Sequence, residues 1–146
     1  MSQNIAIGFT EGLPITAENS FQSFALPVPT PQPNEVVVQV DGVSVNPIDT
    51  KRRQAATRQA TPQVLGYDAV GTITQVGAQV AGYHVGDRVI YAGTTCKPGS
   101  NQQYQAVDAR LVALAPQQAP TADLAALPLV CLLYTSPSPR DYAASR

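Results

Sequence analysis

The chain has 146 residues, of which 44% are hydrophobic and 13% charged, with nine Lys or Arg against ten Asp or Glu. That length holds one domain of ordinary size, and the near-neutral balance gives no electrostatic footprint for nucleic acid or an anionic membrane surface. Two cysteines and one histidine, far apart in sequence, provide neither a disulfide framework nor a zinc cluster.

The N-terminus lacks the basic and apolar regions of a secretory signal, and no apolar run approaches the ~18 residues of a membrane span. A reducing, cytoplasmic setting is expected. Thirteen prolines and ten glycines break the chain into short pieces, leaving little room for helices of about 10 residues. Between the breakers stand seven candidate strands. They are Asn4–Phe9, Phe21–Leu26, Glu35–Val45, Ala69–Val76, Asp87–Tyr91, Gln103–Val107 and Leu111–Leu114. In the third, Val36, Val38 and Val40 alternate with Val37, Gln39 and Asp41, the period of a strand with one more apolar face. Ile5 and Ile7 repeat the pattern on a smaller scale. Alternating prolines from Pro27 to Pro33 read as an extended connector, with a ligand for a proline-binding module as the alternative.

Two helical stretches are predicted. Pro47–Ala56 has proline in its first turn and good helix formers after it. A second starts near Thr121 and is interrupted by Pro128. The fold class is therefore mainly β with short helices, a barrel or sandwich.

Gly66, Gly71, Gly77, Gly82 and Gly86 fall within 21 residues. Their spacing matches neither GxGxxG nor a phosphate loop, so they serve turns and close backbone approaches. In the turn before the next strand, Asp87 and Arg88 read as a solvated or structural pair. After Val130 the composition switches abruptly to Ser, Pro and Arg. Leu133-Tyr-Thr-Ser-Pro-Ser-Pro-Arg-Asp141 reads as translated adapter or vector sequence. Residues 1–130 are thus expected to form a domain and 131–146 a non-native, disordered tail.

Four stretches carry a family resemblance. They are Gly42-Val-Ser-Val-Asn-Pro-Ile-Asp-Thr-Lys51, Pro62-Gln-Val-Leu-Gly-Tyr-Asp-Ala-Val-Gly71, Val76–Val80 with Val85–Gly93, and Gly99–Asp108 with Leu111–Leu114. In that order they resemble the GroES-like catalytic domain of the medium-chain dehydrogenase/reductase superfamily. The subgroup most similar is that of the zinc-type alcohol dehydrogenase-like quinone oxidoreductases. The resemblance implies a partly open GroES-like barrel with the nucleotide-binding domain absent, so that the polypeptide alone is inactive. It implies hydride transfer from NADPH to a quinone or activated alkene, and pairing of the intact enzyme as a homodimer mainly through its nucleotide domain.

The resemblance also fixes candidate positions. Asn46 stands where the zinc enzymes carry a ligating cysteine, and Tyr67 where they carry a ligating histidine. Cys96 stands alone in place of a four-cysteine lobe. Amide and phenol are poor zinc ligands beside thiolate and imidazole, so no metal is expected. Asn46 is expected to orient the nicotinamide carboxamide or a substrate carbonyl, or else only to cap a turn. Asp49 is expected near the cofactor, either acting there or anchoring the short helix, and Thr50 within its reach beside a solvated Lys51. Tyr67 is expected to donate a hydrogen bond or proton to a substrate oxygen, or else to fill space left by the metal. Two other readings compete: a stand-alone β-barrel interaction module, or a zinc-dependent alcohol dehydrogenase, which the missing ligands disfavour.

Overall fold

A computed structural model describes residues 3–134. Two sheets carry the chain. In the first, β1 (Gln3–Phe9) lies between β2 (Gln22–Pro27) and a two-residue strand. In the second, β3 (Glu35–Ser44) leads into α1 (Pro47–Gln54), and then β4 (Gln63–Val64) completes the first sheet. β5 (Asp68–Val76), β6 (Arg88–Ala92), β7 (Tyr104–Asp108) and β8 (Val112–Leu114) join β3 in the order β7-β3-β5-β6-β8. A single 3-10 turn, Ala109–Leu111, precedes β8. α2 (Thr121–Ala126) and α3 (Pro128–Tyr134) follow. The arrangement is mainly β with few short helices, as the composition and punctuation imply. The sheets do not close into one continuous barrel.

The main core forms on one face of the five-stranded sheet. Val36, Val38, Ala69, Ile73, Val89, Tyr91, Val107 and Val112 pack there. Burial of that apolar area is the chief force holding the sheet. The alternation expected in β3 holds for Val36 and Val38, but Val37 is buried as well. Two register shifts against β5, at Val37/Val38 and Val40/Gly42, turn the strand and change which side chains face inward. Between them the β3 and β5 backbones approach closely at Gly71. A Cβ there would sit 2.2 Å from the Gln39 carbonyl oxygen, so only glycine fits.

Strand β1 corrects one expectation. Ile5 and Ile7 point outward, 38% and 44% exposed, while Asn4 and Ala6 are buried. Asn4 acts as an extra backbone unit. Its Nδ2 donates to the Tyr104 carbonyl at 2.9 Å, and its Oδ1 accepts from the Tyr104 amide at 2.9 Å. Those bonds tie β1 to β7 and satisfy a polar side chain that hydropathy alone would place in water.

The proline-rich stretch runs from β2 to β3 as a connector, with the Gln32 and Pro33 carbonyls accepting from Glu35 and Gln79. Asp87 and Arg88 are both structural, with separate partners. Asp87 Oδ2 accepts from the His84 amide, while Arg88 donates to the carbonyls of Pro116, Gln117 and Ala119. The end of the domain differs from expectation too. Pro128 does close α2, but it also opens α3, where a missing N–H costs nothing. Cys131–Tyr134 lie in that helix. Residues 135–146 of the expected tail lie outside the described residues.

Candidate active site

The loop from β3 into α1 meets the loop from β4 into β5, and two buried carboxylates join them. Asn46 is the residue before α1, with extended backbone, and Pro47 supplies the first helical φ. Asp49, 6% exposed, turns back on both loops. Its Oδ2 accepts from the Asn46 amide and its Oδ1 from the Gly66 amide, each at 2.9 Å. Gly66 has φ +111°, and a Cβ on it would meet Ser100 Oγ at 2.4 Å. Glycine is required on both counts. Asp49 thus ties the start of α1 to the β4–β5 loop.

Asp68, fully buried at the start of β5, organises the other half. Its Oδ2 accepts from Ser44 Oγ at 2.7 Å and from Asn46 Nδ2 at 2.7 Å, and its Oδ1 accepts from the Leu129 amide at 2.6 Å. One acidic side chain therefore links the β3–α1 loop to the first turn of α3. The second hydrogen of Asn46 Nδ2 goes to Ser44 Oγ at 3.3 Å. Because a carboxylate only accepts, the amide of Asn46 is oriented with nitrogen toward Asp68. Both of its donors are spent, and Oδ1, turned toward the Asp49 amide in the capping box of α1, is its one acceptor. An Asn46 so held can receive a hydrogen bond but cannot donate one to a substrate carbonyl.

Tyr67 lies between the two carboxylates in sequence and packs with Phe9 and Leu65, against Ile48, Ala56 and Leu129. It is 5% exposed, yet it lines a cavity of about 400 Å³ together with Arg52, Gln63, Thr95 and Lys97. The Arg52 guanidinium carbon is 6.0 Å from the ring centre, and its Nη1 donates to the Thr95 carbonyl at 3.1 Å. Burial pushes the Tyr67 phenol above its ordinary value, against the charge and hydrogen bond of Arg52, which pull it down. The phenol therefore keeps its proton at neutral pH and is a donor.

Of the four sequence-predicted residues, the structure joins Asn46 and Asp49 by a direct hydrogen bond, with Tyr67 one peptide away through Gly66. Thr50 stands apart. Its Oγ1 donates to the Pro47 carbonyl, and it lines a different cavity on the other side of α1, with Asp49 and Arg53. Sequence reasoning missed Asp68 and Arg52. An acidic residue opening an apolar strand, Asp68-Ala-Val-Gly, is the one signal that could have marked the first.

Among the described residues, no three His, Cys, Asp or Glu side chains cluster as a metal site would need. Beside Asn46 and Tyr67, the carboxylate of Asp68 already has three donors on its two oxygens.

Residues 32–119 match the alcohol dehydrogenase GroES-like domain family. The chain is 41% identical over 127 residues to a zinc-type alcohol dehydrogenase-like protein of Staphylococcus epidermidis, covering 87% of this chain and 38% of that protein. It is 38% identical over 112 residues to the chloroplastic NADPH-dependent alkenal/one oxidoreductase of Arabidopsis thaliana, covering 70% of this chain and 29% of that one. The crystal structure of a putative zinc-dependent alcohol dehydrogenase from Rhizobium etli superposes with a TM-score of 0.86 at 34% identity, over 95% of this chain and 44% of its own. The chain thus spans well under half the length of these relatives. By sequence and fold together, it belongs to the alcohol dehydrogenase GroES-like domain family, the N-terminal domain of the medium-chain dehydrogenase/reductase superfamily.

Proposed function

We propose that this chain is the substrate-side wall of an oxidoreductase that passes hydride from NADPH to a quinone or enone without zinc. The observation that carries the reading is the placement of a buried Tyr67 beside Arg52 on one cavity, next to an Asn46 whose amide nitrogen is already bound. The relative that reduces alkenals and enones with NADPH supports the cofactor and substrate class.

The residues present fit that cofactor only in part. Asn46 Oδ1, the one acceptor of its side chain, suits the amino group of a nicotinamide carboxamide. No phosphate-binding glycine loop occurs in the sequence, so the nucleotide's phosphates need another part of the protein. Bound NADPH supplies the hydride. As hydride reaches the acceptor carbon, negative charge builds on the conjugated oxygen. Tyr67 donates a hydrogen bond to that oxygen, and the Arg52 guanidinium beside it favours the charge. Tyr67 Oη–H is also the proton source nearest the developing enolate or hydroquinone anion.

Zinc does not fit these residues. Asn46 turns its amide N–H₂ to Asp68 and keeps only a neutral amide oxygen, a poor zinc ligand beside thiolate, and the phenol of Tyr67 is a poor one beside imidazole. The test is NADPH oxidation by the whole enzyme with p-benzoquinone, in EDTA. Activity is expected to persist, and loss restored by zinc would overturn the zinc-free reading. Tyr67→Phe is expected to lower kcat by a factor on the order of ten to a hundred. Unchanged kcat and KM would remove Tyr67 from the mechanism. The 146-residue chain alone is expected to oxidise no NADPH.

A further inference from the structure

Helix α1 presents a second arginine to a different cavity, and its environment differs from that of Arg52. Arg53 is 8% exposed. Its Nη2 donates to the Leu13 carbonyl, and its guanidinium carbon lies 4.9 Å from the centre of the Phe21 ring. Its Nε is buried with no hydrogen-bond partner among the described residues. The ion pairs among the described residues are His84–Asp87, Lys97–Glu35 and Arg110–Asp108, and none involves Arg53. A guanidinium this buried without an anion is costly, and proteins ordinarily pair such charges.

Arg53 lines a cavity of about 320 Å³ with Ile15, Phe21, Val45, Leu65 and Asn101. Asp49 borders it too, but both its oxygens are engaged by the Asn46 and Gly66 amides. The side-chain amide of Asn101 makes no bond among the described residues. The cavity thus combines apolar walls with the Asn101 amide and a guanidinium that forms no ion pair among the described residues. A phosphate would bring two charges and no apolar surface to such a site. A carboxylate on a small apolar body matches both the walls and the charge.

We infer that the cavity between α1 and the β1–β2 loop is a binding site for a small apolar monocarboxylate, held by Arg53 and Asn101. The carboxylate completes the donors of the guanidinium, and its aromatic or alkyl body packs on Ile15, Phe21 and Val45. The site is separate from the Tyr67 cavity and does not depend on the oxidoreductase reading.

The test uses the 146-residue chain and benzoate, with benzyl alcohol as its neutral counterpart. Titration is followed by ¹H–¹⁵N NMR, reading the Arg53 Nε–H and the Asn101 side-chain amide. Benzoate is expected to shift both signals saturably, with benzyl alcohol at least about tenfold weaker. Equal affinity for the two, or no shift with either, would overturn the inference. Because Arg53→Gln also releases Leu13, a second variant keeps the arginine. Val45 is 77% exposed at the rim, and Val45→Trp is expected to block the cavity and abolish benzoate binding with the rest of the spectrum intact. Gln59 lines the Tyr67 cavity, and Gln59→Trp, which narrows that cavity instead, is expected to leave benzoate binding unchanged. If Gln59→Trp abolishes it and Val45→Trp does not, the carboxylate site is the Tyr67 cavity and the inference fails. No activity is read, so the outcome is independent of whether the whole enzyme reduces quinones.

Discussion

The β3–β5 core and the loop junction at Asn46 and Asp68 are a few residues apart, yet different forces hold them. In the core, Val36, Val38, Ile73 and Val89 exclude water and have no polar atoms in their side chains. Its stability scales with buried area and tolerates swaps of similar volume. At the junction, Asp49 and Asp68 collect donors from three separate segments: Ser44–Asn46, Gly66, and Leu129 beyond α2. There the net gain per bond is small, but any orphaned partner is expensive. The core sets the fold, and the junction sets which atoms of Asn46 and Tyr67 are free to act.

The hardest way to break this division is through the backbone of the junction. Gly66→Val places a β-branched residue at φ +111° with its Cβ against Ser100 Oγ. Strain and clash together are expected to cost upwards of about 4 kcal/mol, leaving no cooperative thermal transition by circular dichroism. A folded Gly66→Val variant would show that the junction yields as the core does. In the core, Ile73→Ala at a 1% exposed site is expected to cost about 2–5 kcal/mol through lost transfer energy and a cavity. Urea denaturation should show it as a lower midpoint with unchanged slope.

Asp68→Asn sharpens the contrast most directly. The shape is retained, but an amide cannot accept from Ser44, Asn46 and Leu129 on both of its ends. A loss of about 1–3 kcal/mol is expected, together with release of the Asn46 amide from its fixed orientation. In the whole enzyme the KM for NADPH should then rise more than kcat falls. A variant as stable as the parent, with unaltered KM, would mean that Asp68 orients nothing.

The same division explains what the sequence made legible. β3, β5 and β6 were readable because β-branched runs between glycines have one physical solution, a buried strand. α1 was readable because Pro47 and the helix formers after it act within one turn. In β1 the alternation is legible but its inward face is not, since the burial of Asn4 depends on Tyr104, about a hundred residues later in the chain. β4 has two residues, too few for any period. Pro128 was read only as a stop, because proline's role as a helix start depends on what the preceding helix does. At the site, Asn46, Asp49 and Tyr67 came from motif resemblance. The polarity of Asn46 and the roles of Asp68 and Arg52 could not, since they arise from contacts between loops far apart in sequence.

The smallest effect is expected where a carboxylate is bound by charge at the open surface. Asp108 and Arg110 form a bidentate pair, with Arg110 Nε and Nη2 both donating. The guanidinium holds the Asp108 carboxyl well below its ordinary value of 3.8, at about 2. Since the folded value is the lower one, the unfolded chain takes up this proton first as pH falls. Whatever stability the pair adds is present above 3.8 and disappears as the pH drops toward about 2. Both groups face water, however, so counterions screen the pair and side-chain entropy opposes it. Asp108→Asn is therefore expected to leave the neutral-pH melting temperature within scatter of the parent and to flatten only the acid limb of its pH profile. High salt should remove even that difference. The buried Asp68 behaves oppositely, since salt does not reach its three donors. If salt were to erase the Asp68→Asn effect as it does that of Asp108→Asn, the junction would be held by surface electrostatics, and its claim to orient Asn46 would fall.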